Sequence, residues 1–166
     1  VPTMADFIRI ASPEFMDGKN LLPVIRDDTP VRDNALFGIY GEQVNITDGR
    51  YVYMRAPVFP GNGPLYTYTL MPCHMRNMFS LEEMKRAELV KGFPHMKESR
   101  VMKIPQQGSA RAYDYGNRLY DLKTDPFQQS PIYFEETEKR LTEKMKELMK
   151  ENEAPEEQYI RLGLQE

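Results

Sequence analysis

Tryptophan is absent from the 166 residues, cysteine occurs once and histidine twice. A single cysteine closes no internal disulfide, so Cys73 excludes a disulfide-stapled scaffold and leaves the fold to depend on burial. No apolar run approaches the ~18 residues that span a bilayer. Basic side chains are not in excess: 22 Lys+Arg against 25 Asp+Glu give a net charge of −3, so neither nucleic acid nor a membrane is the expected partner. Neither G-x-x-x-x-G-K-[ST] nor G-x-G-x-x-G occurs, which removes the two glycine-rich phosphate cradles. No repeat of fixed period and no low-complexity stretch is present. What is abundant is proline (13), methionine (11) and tyrosine (10), a composition that suits a loop-rich mixed domain better than a helical bundle.

Apolar periodicity divides the chain into segments. Met4, Phe7, Ile8 and Ala11 are spaced i, i+3, i+4, i+7, the stripe of a short amphipathic helix with Thr3 as its N-cap and Ser12-Pro13 as its stop. Asp17-Gly18 turns the chain, and Leu21 to Ile25 forms a short apolar stretch. From 34 to 71 the period falls to two, predicting strands at 35–40, 43–47, 50–55 and 65–71. Asp48-Gly49 is the strongest local signal there, because it supplies the positive φ of a two-residue hairpin loop. Val52 and Met54 share one face and Tyr51, Tyr53 and Arg55 the other, while Tyr66 and Tyr68 add to a tyrosine-rich sheet surface. Pro57 to Pro64 is a loop. Ser80 with Glu83 three residues on makes a capping box for a helix running through Leu81, Met84, Ala87 and Leu89 to Gly92. No usable period appears over 93–111, and 113–123 returns to a strand. The clearest helix begins at Ser130 as cap and Pro131 as first residue, carries Phe134, Leu141, Met145 and Leu148 on one side, and has i,i+4 pairs Glu135–Lys139 and Glu136–Arg140. Ile160, Leu162 and Leu164 form a final apolar cluster that needs a docking place. The expected fold is therefore α+β: a small antiparallel sheet of about four strands packed against a long C-terminal helix, with a short N-terminal helix. A helical preface over 1–30 precedes the domain over 31–166.

Few residues carry chemistry. Cys73 and His74 are adjacent, which points their side chains apart and makes a nucleophile–base couple awkward. His95 lies too far along for zinc, which wants at least three closely spaced ligands. Asp27, Asp28 and Asp33 match no EF-hand loop and are taken as a turn. Asn45-Ile46-Thr47 fits a glycosylation sequon but falls within a strand. Met71 to Asn77 stands out, because it follows a strand and displays His74, Arg76 and Asn77 on a loop. There Arg76 is a fork-shaped donor to an anionic group and His74 a second donor or proton carrier. Equally, it is a polar loop anchored by Met75, Met78 and Phe79. A second polar run, Arg111 to Asn117, reads as the start of a strand with half-buried tyrosines.

Three segments together resemble the sulfatases of the alkaline-phosphatase superfamily. Val1-Pro2-Thr3 followed by Met16-Asp17-Gly18-Lys19-Asn20-Leu21-Leu22-Pro23 is similar to their "D-[IL]-x-P-T" and "D-G-x-S-L-L-P-L". Asp48-Gly49-Arg50-Tyr51-Val52-Tyr53 resembles the "x-D-G-x-Y-K-Y" hairpin, and Leu119-Tyr120-Asp121-Leu122-Lys123-Thr124-Asp125-Pro126 the closing "E-L-Y-D-L-x-x-D-P". The order and spacing of these motifs over 1–126 imply a C-terminal sulfatase subdomain whose partner is an upstream catalytic domain joined through residues 1–30. The resemblance also implies a formylglycine nucleophile and a calcium ion upstream, with a sulfated small molecule or carbohydrate as substrate of the intact enzyme. Cys73-His74-Met75-Arg76-Asn77 does not fit the formylglycine motif C/S-x-P-x-R, so no catalytic or metal-binding residue is carried over to this chain. The departures from the family pattern, the loop over 72–112 and the extension after Pro126, are expected to border the substrate pocket, with His74 and Arg76 on its rim touching the leaving group. The isolated chain is expected to expose apolar surface and to self-associate. The other reading is a stand-alone module whose tyrosine-rich sheet face binds carbohydrate or protein. Export is left open, since a signal peptide would lie upstream.

Overall fold

A computed structural model of the chain describes residues 2–12, 16, 18–71, 73–74, 76–96 and 99–165. Val1, Pro13, Asp17, Pro72 and Met75, on which the sequence placed the chain start, the first helix stop, a turn and part of the loop after the fourth strand, lie outside the described residues. The chain divides into two compact units, 1–35 and 36–166.

In the first unit α1 (Pro2–Phe7) and α2 (Leu22–Asp27) form. Thr3 is not the cap expected of it. It lies inside the first turn of α1, and its hydroxyl accepts from the Leu21 amide at 2.9 Å. Asn20 completes the tie, donating to Asp6 at 2.6 Å while its Oδ1 accepts from the Leu22 amide at 3.0 Å. The apolar stripe of α1 is uncovered: Met4, Phe7 and Ile8 are 63, 71 and 58% exposed. Asp28 turns left-handed at φ 52° and ends α2, which accounts for it as a turn residue.

The second unit runs β1 (Ala35–Gly38), β2 (Val44–Thr47), β3 (Tyr51–Arg55), β4 (Tyr66–Thr69), α3 (Leu81–Lys85), β5 (Glu88–Lys91), a 3₁₀ turn at Pro94–Met96, β6 (Arg100–Pro105), α4 (Ala110–Tyr115), β7 (Arg118–Asp121), α5 (Glu135–Glu151) and α6 (Glu156–Leu162). The α+β class, the four-stranded antiparallel sheet and the long C-terminal helix are as expected. The sheet has the order β1-β2-β3-β7, and a second, three-stranded sheet has the order β4-β6-β5.

The hairpin at Asp48-Gly49 sets the first sheet. Gly49 sits at φ 87°, where a side chain would be strained, and Asp48 Oδ1 accepts from the amides of Arg50 and Tyr51 at 3.0 and 2.7 Å. β3 then pairs with β7 in the register Tyr51↔Asp121 and Tyr53↔Leu119, and Arg50 meets Asp121 at 2.9 Å. On α5 the buried residues Thr137, Leu141, Met145 and Met149 recur every fourth position, a single stripe laid on the sheet. Leu141, Met145 and Met149 pack with Ile46, Tyr53 and Leu119, and Leu162 and Leu164 at the end of α6 close the cluster. Of the final apolar residues Leu162 and Leu164 thus dock in the core, while Ile160 stays half-buried outside it. The hydroxyls of Thr137 and Tyr53 apart, the latter accepting from Arg55 Nη1 at 3.3 Å, this core is apolar packing, the dominant favourable term in folding.

Several local expectations fail, most of them because a distant partner outweighs a local preference. The helix expected from Leu81 to Gly92 stops after Lys85, and 88–91 becomes β5 because β6 offers the pairing Val90↔Val101. β6 itself occupies the stretch without period. The strand expected over 113–123 begins only at Arg118, since Ser109 caps α4 by accepting from the Arg111 amide at 3.2 Å and Gly116 ends it at φ 64°. The long helix starts at Glu135 rather than Pro131, because the Ile132 amide donates to Leu119 O at 2.8 Å and holds 130–134 beside β7. Phe134 is consequently 48% exposed instead of on the buried stripe. Of the two i,i+4 pairs, Glu135–Lys139 forms at 2.6 Å, whereas Arg140 turns to Asp48 at 2.6 Å. Asn45 lies in β2, opposite Met54, with its Oδ1 buried, so the sequon is sheet.

Candidate functional site

After β4, Cys73 and Met78 form an antiparallel bridge, and His74, Arg76 and Asn77 lie between them in the sequence. Immediately after it Ser80 opens α3 with the expected capping box: the Ser80 hydroxyl accepts from the Glu83 amide at 3.2 Å, and the Ser80 amide donates to Glu83 Oε2 at 2.8 Å. That box occupies one carboxylate oxygen of Glu83. The other, Oε1, meets His74 Nε2 at 2.9 Å and accepts from Gln106 Nε2 at 3.4 Å. The Ser80 amide and hydroxyl, followed by Gln106 and His74, bring the Glu83 carboxyl down to about 2.

A carboxylate that stays ionised accepts only, so the hydrogen between it and His74 belongs to Nε2. In the neutral imidazole Nδ1 is then the acceptor, the tautomer that a carboxylate–histidine pair imposes. Phe79 fixes the ring plane from its edge, with centroids 4.4 Å apart. The His74 side chain is 41% exposed and that of Glu83 19%, so the ring is oriented from within and open on one side. Nδ1 makes no hydrogen bond to a described residue. Such a ring takes up a proton or, once protonated, offers a cation with a fixed direction.

Arg76, placed by sequence beside His74, is exposed and makes no hydrogen bond or ion pair with a described residue. It is free to form the bidentate contact to an oxyanion that guanidinium geometry allows. Cys73 is a free, partly exposed thiol that no base addresses. Among the described residues no group of three His, Cys, Asp or Glu could hold a metal ion. The site is, among the described residues, one oriented histidine and one free arginine, suited to binding and proton transfer. Sequence reasoning singled out His74 and Arg76 and did not foresee the contacts that Glu83 and Gln106 make beside them. The capping box was the available signal, since it engages one oxygen of Glu83 and leaves the other for a second donor.

The other histidine has a similar partner and a different setting. His95 Nδ1 meets Glu153 Oε2 at 2.7 Å, its amide donates to the same oxygen at 3.1 Å, and its ring lies parallel to Phe93 at 5.6 Å. The tyrosines of the sheets are likewise engaged. Tyr53 is in the core with Tyr51 packed against it, Lys103 Nζ stands 4.1 Å above the Tyr66 ring, and Tyr68 meets Phe93 edge-on and donates to Glu157 at 2.5 Å. Burial first, and then that carboxylate, push the Tyr68 hydroxyl strongly up. A groove of about 550 Å³ runs between α5 and α6, lined by Lys146, Lys150, Glu156, Tyr159 and Leu164 among others, and holds neither His74 nor Arg76. No family model matches the chain, and no curated protein matches it.

Proposed function

We propose that this chain is the C-terminal subdomain of a sulfuric ester hydrolase, which supports an upstream catalytic domain and borders its substrate pocket without being catalytic alone. One observation carries the reading. Two of the segments that resemble sulfatases, separated by some seventy residues, meet as neighbouring strands: the Asp48–Tyr53 hairpin and the Leu119–Pro126 strand and turn pair as β3 and β7 and are joined by Arg50–Asp121. The motif residues therefore act as one structural unit, which chance matches have no reason to do. The uncovered α1 stripe and the exposed Phe127 and Tyr133, 82 and 80% open, are surfaces for a larger domain to cover. His74 and Arg76 supply what a pocket rim needs toward a sulfate ester: a fork for the oxyanion and an oriented proton donor for the leaving oxygen. Calcium and the formylglycine nucleophile belong to the upstream part in this reading. The stand-alone module needs an open tyrosine face, and the strand tyrosines are engaged within the unit.

The coding DNA upstream of the Val1 codon tests the reading. A C/S-x-P-x-R motif with paired aspartates is expected, and an initiation codon directly before Val1 would overturn it. In the intact enzyme, replacing His74 and Arg76 together by Ala should raise KM for a sulfate ester by about tenfold or more, one bidentate contact being worth ~1.5–3 kcal/mol. Unchanged KM and kcat would remove both residues from the rim.

A further inference from the structure

Asn62-Gly63 is the one Asn-Gly pair in the sequence, and the fold buries its asparagine completely while Gly63 is half-buried. Asn62 is 0% exposed and left-handed at φ 48°, a conformation asparagine tolerates better than most residues. Its Nδ2 donates to Gly41 O at 2.6 Å and to Ser109 O at 2.9 Å, while its Oδ1 accepts from Arg161 Nη1 at 2.7 Å. Arg161 is 2% exposed and also donates to Glu42 O at 3.1 Å and Gln158 Oε1 at 3.0 Å. Among the described residues no carboxylate lies within ion-pair reach of it. Gly108 seals the hub, since a Cβ there would stand 2.4 Å from Asn62 Nδ2. One amide thus ties the 39–42 turn, the 106–109 loop and α6 together.

We propose that Asn62 is a deamidation site that the closed hub protects, so that opening of this hub is recorded irreversibly in covalent structure. In an opened chain the backbone nitrogen of Gly63, with no side chain beside it to hinder approach, attacks Cγ of Asn62. The Cγ–Nδ2 bond breaks, the Gly63 N–H proton goes to the departing nitrogen, ammonia leaves, and a succinimide ring remains. Water opens the ring at either carbonyl to give aspartate or isoaspartate; no oxidant or reductant is involved. In the closed hub the same attack requires Asn62 to rotate away from all three partners, so the reaction proceeds only from the open state and its rate scales with the open population.

The products do not restore the hub. An aspartate at 62 has no N–H for the carbonyls of Gly41 and Ser109 and sets oxygens against them at donor–acceptor distance, although it gives Arg161 a carboxylate. Isoaspartate lengthens the main chain by one carbon where Gly108 leaves no space. The 106–109 loop that the hub holds also carries Gln106, which supports Glu83 beneath His74. Deamidation therefore loosens one support of the candidate site.

The test uses the full chain, held at mildly alkaline pH in native buffer and in denaturing urea, with modification at 62 followed by peptide mass spectrometry and isoaspartate-specific methylation. Deamidation at 62 is expected in urea and about a hundredfold more slowly in the native state, with R161Q raising the native rate. Equal rates at 62 in native buffer and in urea would overturn the proposal, as would an unmodified Asn62 in urea while Asn20 or Asn117 reacts. Should R161Q not fold, sub-denaturing urea on the unaltered protein serves instead: the rate at 62 must climb with urea, and a rate indifferent to it refutes the protection.

Discussion

The two sheets of residues 36–166 are covered unequally. Onto the four-stranded sheet α5 and α6 deliver Leu141, Met145, Met149, Leu162 and Leu164, none more than 4% exposed, against Ile46, Tyr53 and Leu119. The three-stranded sheet buries Val101 and Ile104 but leaves Leu89 of β5 54% exposed. Its neighbourhood is instead held by polar ties: Ser80 and Gln106 on Glu83, Glu153 on His95, Glu157 on Tyr68. Packing concentrates cooperativity in the first sheet, and directional bonds aim side chains around the second. Hydrogen bonds fix the tautomer of a histidine and leave its ring open, where a core would bury it.

The sharpest way to break this comparison is to truncate one residue in each sheet. Leu141→Ala, which empties a fully buried position, should cost about 3 kcal/mol in urea unfolding, whereas Leu89→Ala should cost well under ~1 kcal/mol. Equal losses would mean that the second sheet is packed as firmly as the first. Next in size is Ser80→Ala, which removes the cap of α3 and should cost about 1 kcal/mol, together with broadened His74 ring resonances as the Glu83 carboxylate loses its fixed position. The acid limb of the stability curve sharpens the same point. Glu83 has its carboxyl lowered to about 2 from an ordinary 4.5, so its contribution is complete above pH 4.5 and disappears as pH falls toward 2. The stability difference between the unaltered protein and E83Q should accordingly vanish over that window; a constant difference would show that the ionised form is not what the site uses. The smallest effect belongs to Arg140→Ala, a half-exposed partner of Asp48 on the hairpin turn, where ~0.5 kcal/mol is expected and should shrink in high salt.

Elements whose signals lie within a few residues were legible. Asp48-Gly49 specifies a hairpin because the turn residue must reach positive φ. Ser80 and Glu83 specify a helix start because the box is closed by residues three apart. The fourfold spacing of Leu141 and Met145 specifies a buried helix face, although Thr137 and Met149, rather than Phe134 and Leu148, continue it. Of the second sheet only β4 was legible, because Leu89 and Val90 suit a helix or a strand equally and only the arrival of β6, ten or more residues later, decides between them. The start of α5 misled for a similar reason: Ser130-Pro131 is a good helix opening, and one backbone bond from Ile132 to Leu119 overrides it.

At the candidate site the same division holds. His74 and Arg76 could be picked out because scarce polar residues on a loop after a strand are few enough to inspect. Their unequal fates could not be foreseen, since His74 is oriented through Glu83 nine positions away and Gln106 beyond that, while Arg76 is left open. The amino-acid sequence by itself determined the class of fold, the hairpin, the helix cap and the core stripe, all encoded in contacts between near neighbours. Tertiary structure alone decided the assembly of the second sheet, the partner of His74 and the closed hub around Asn62, because each depends on groups far apart in the chain that meet only after the entropy of closing long loops has been overcome.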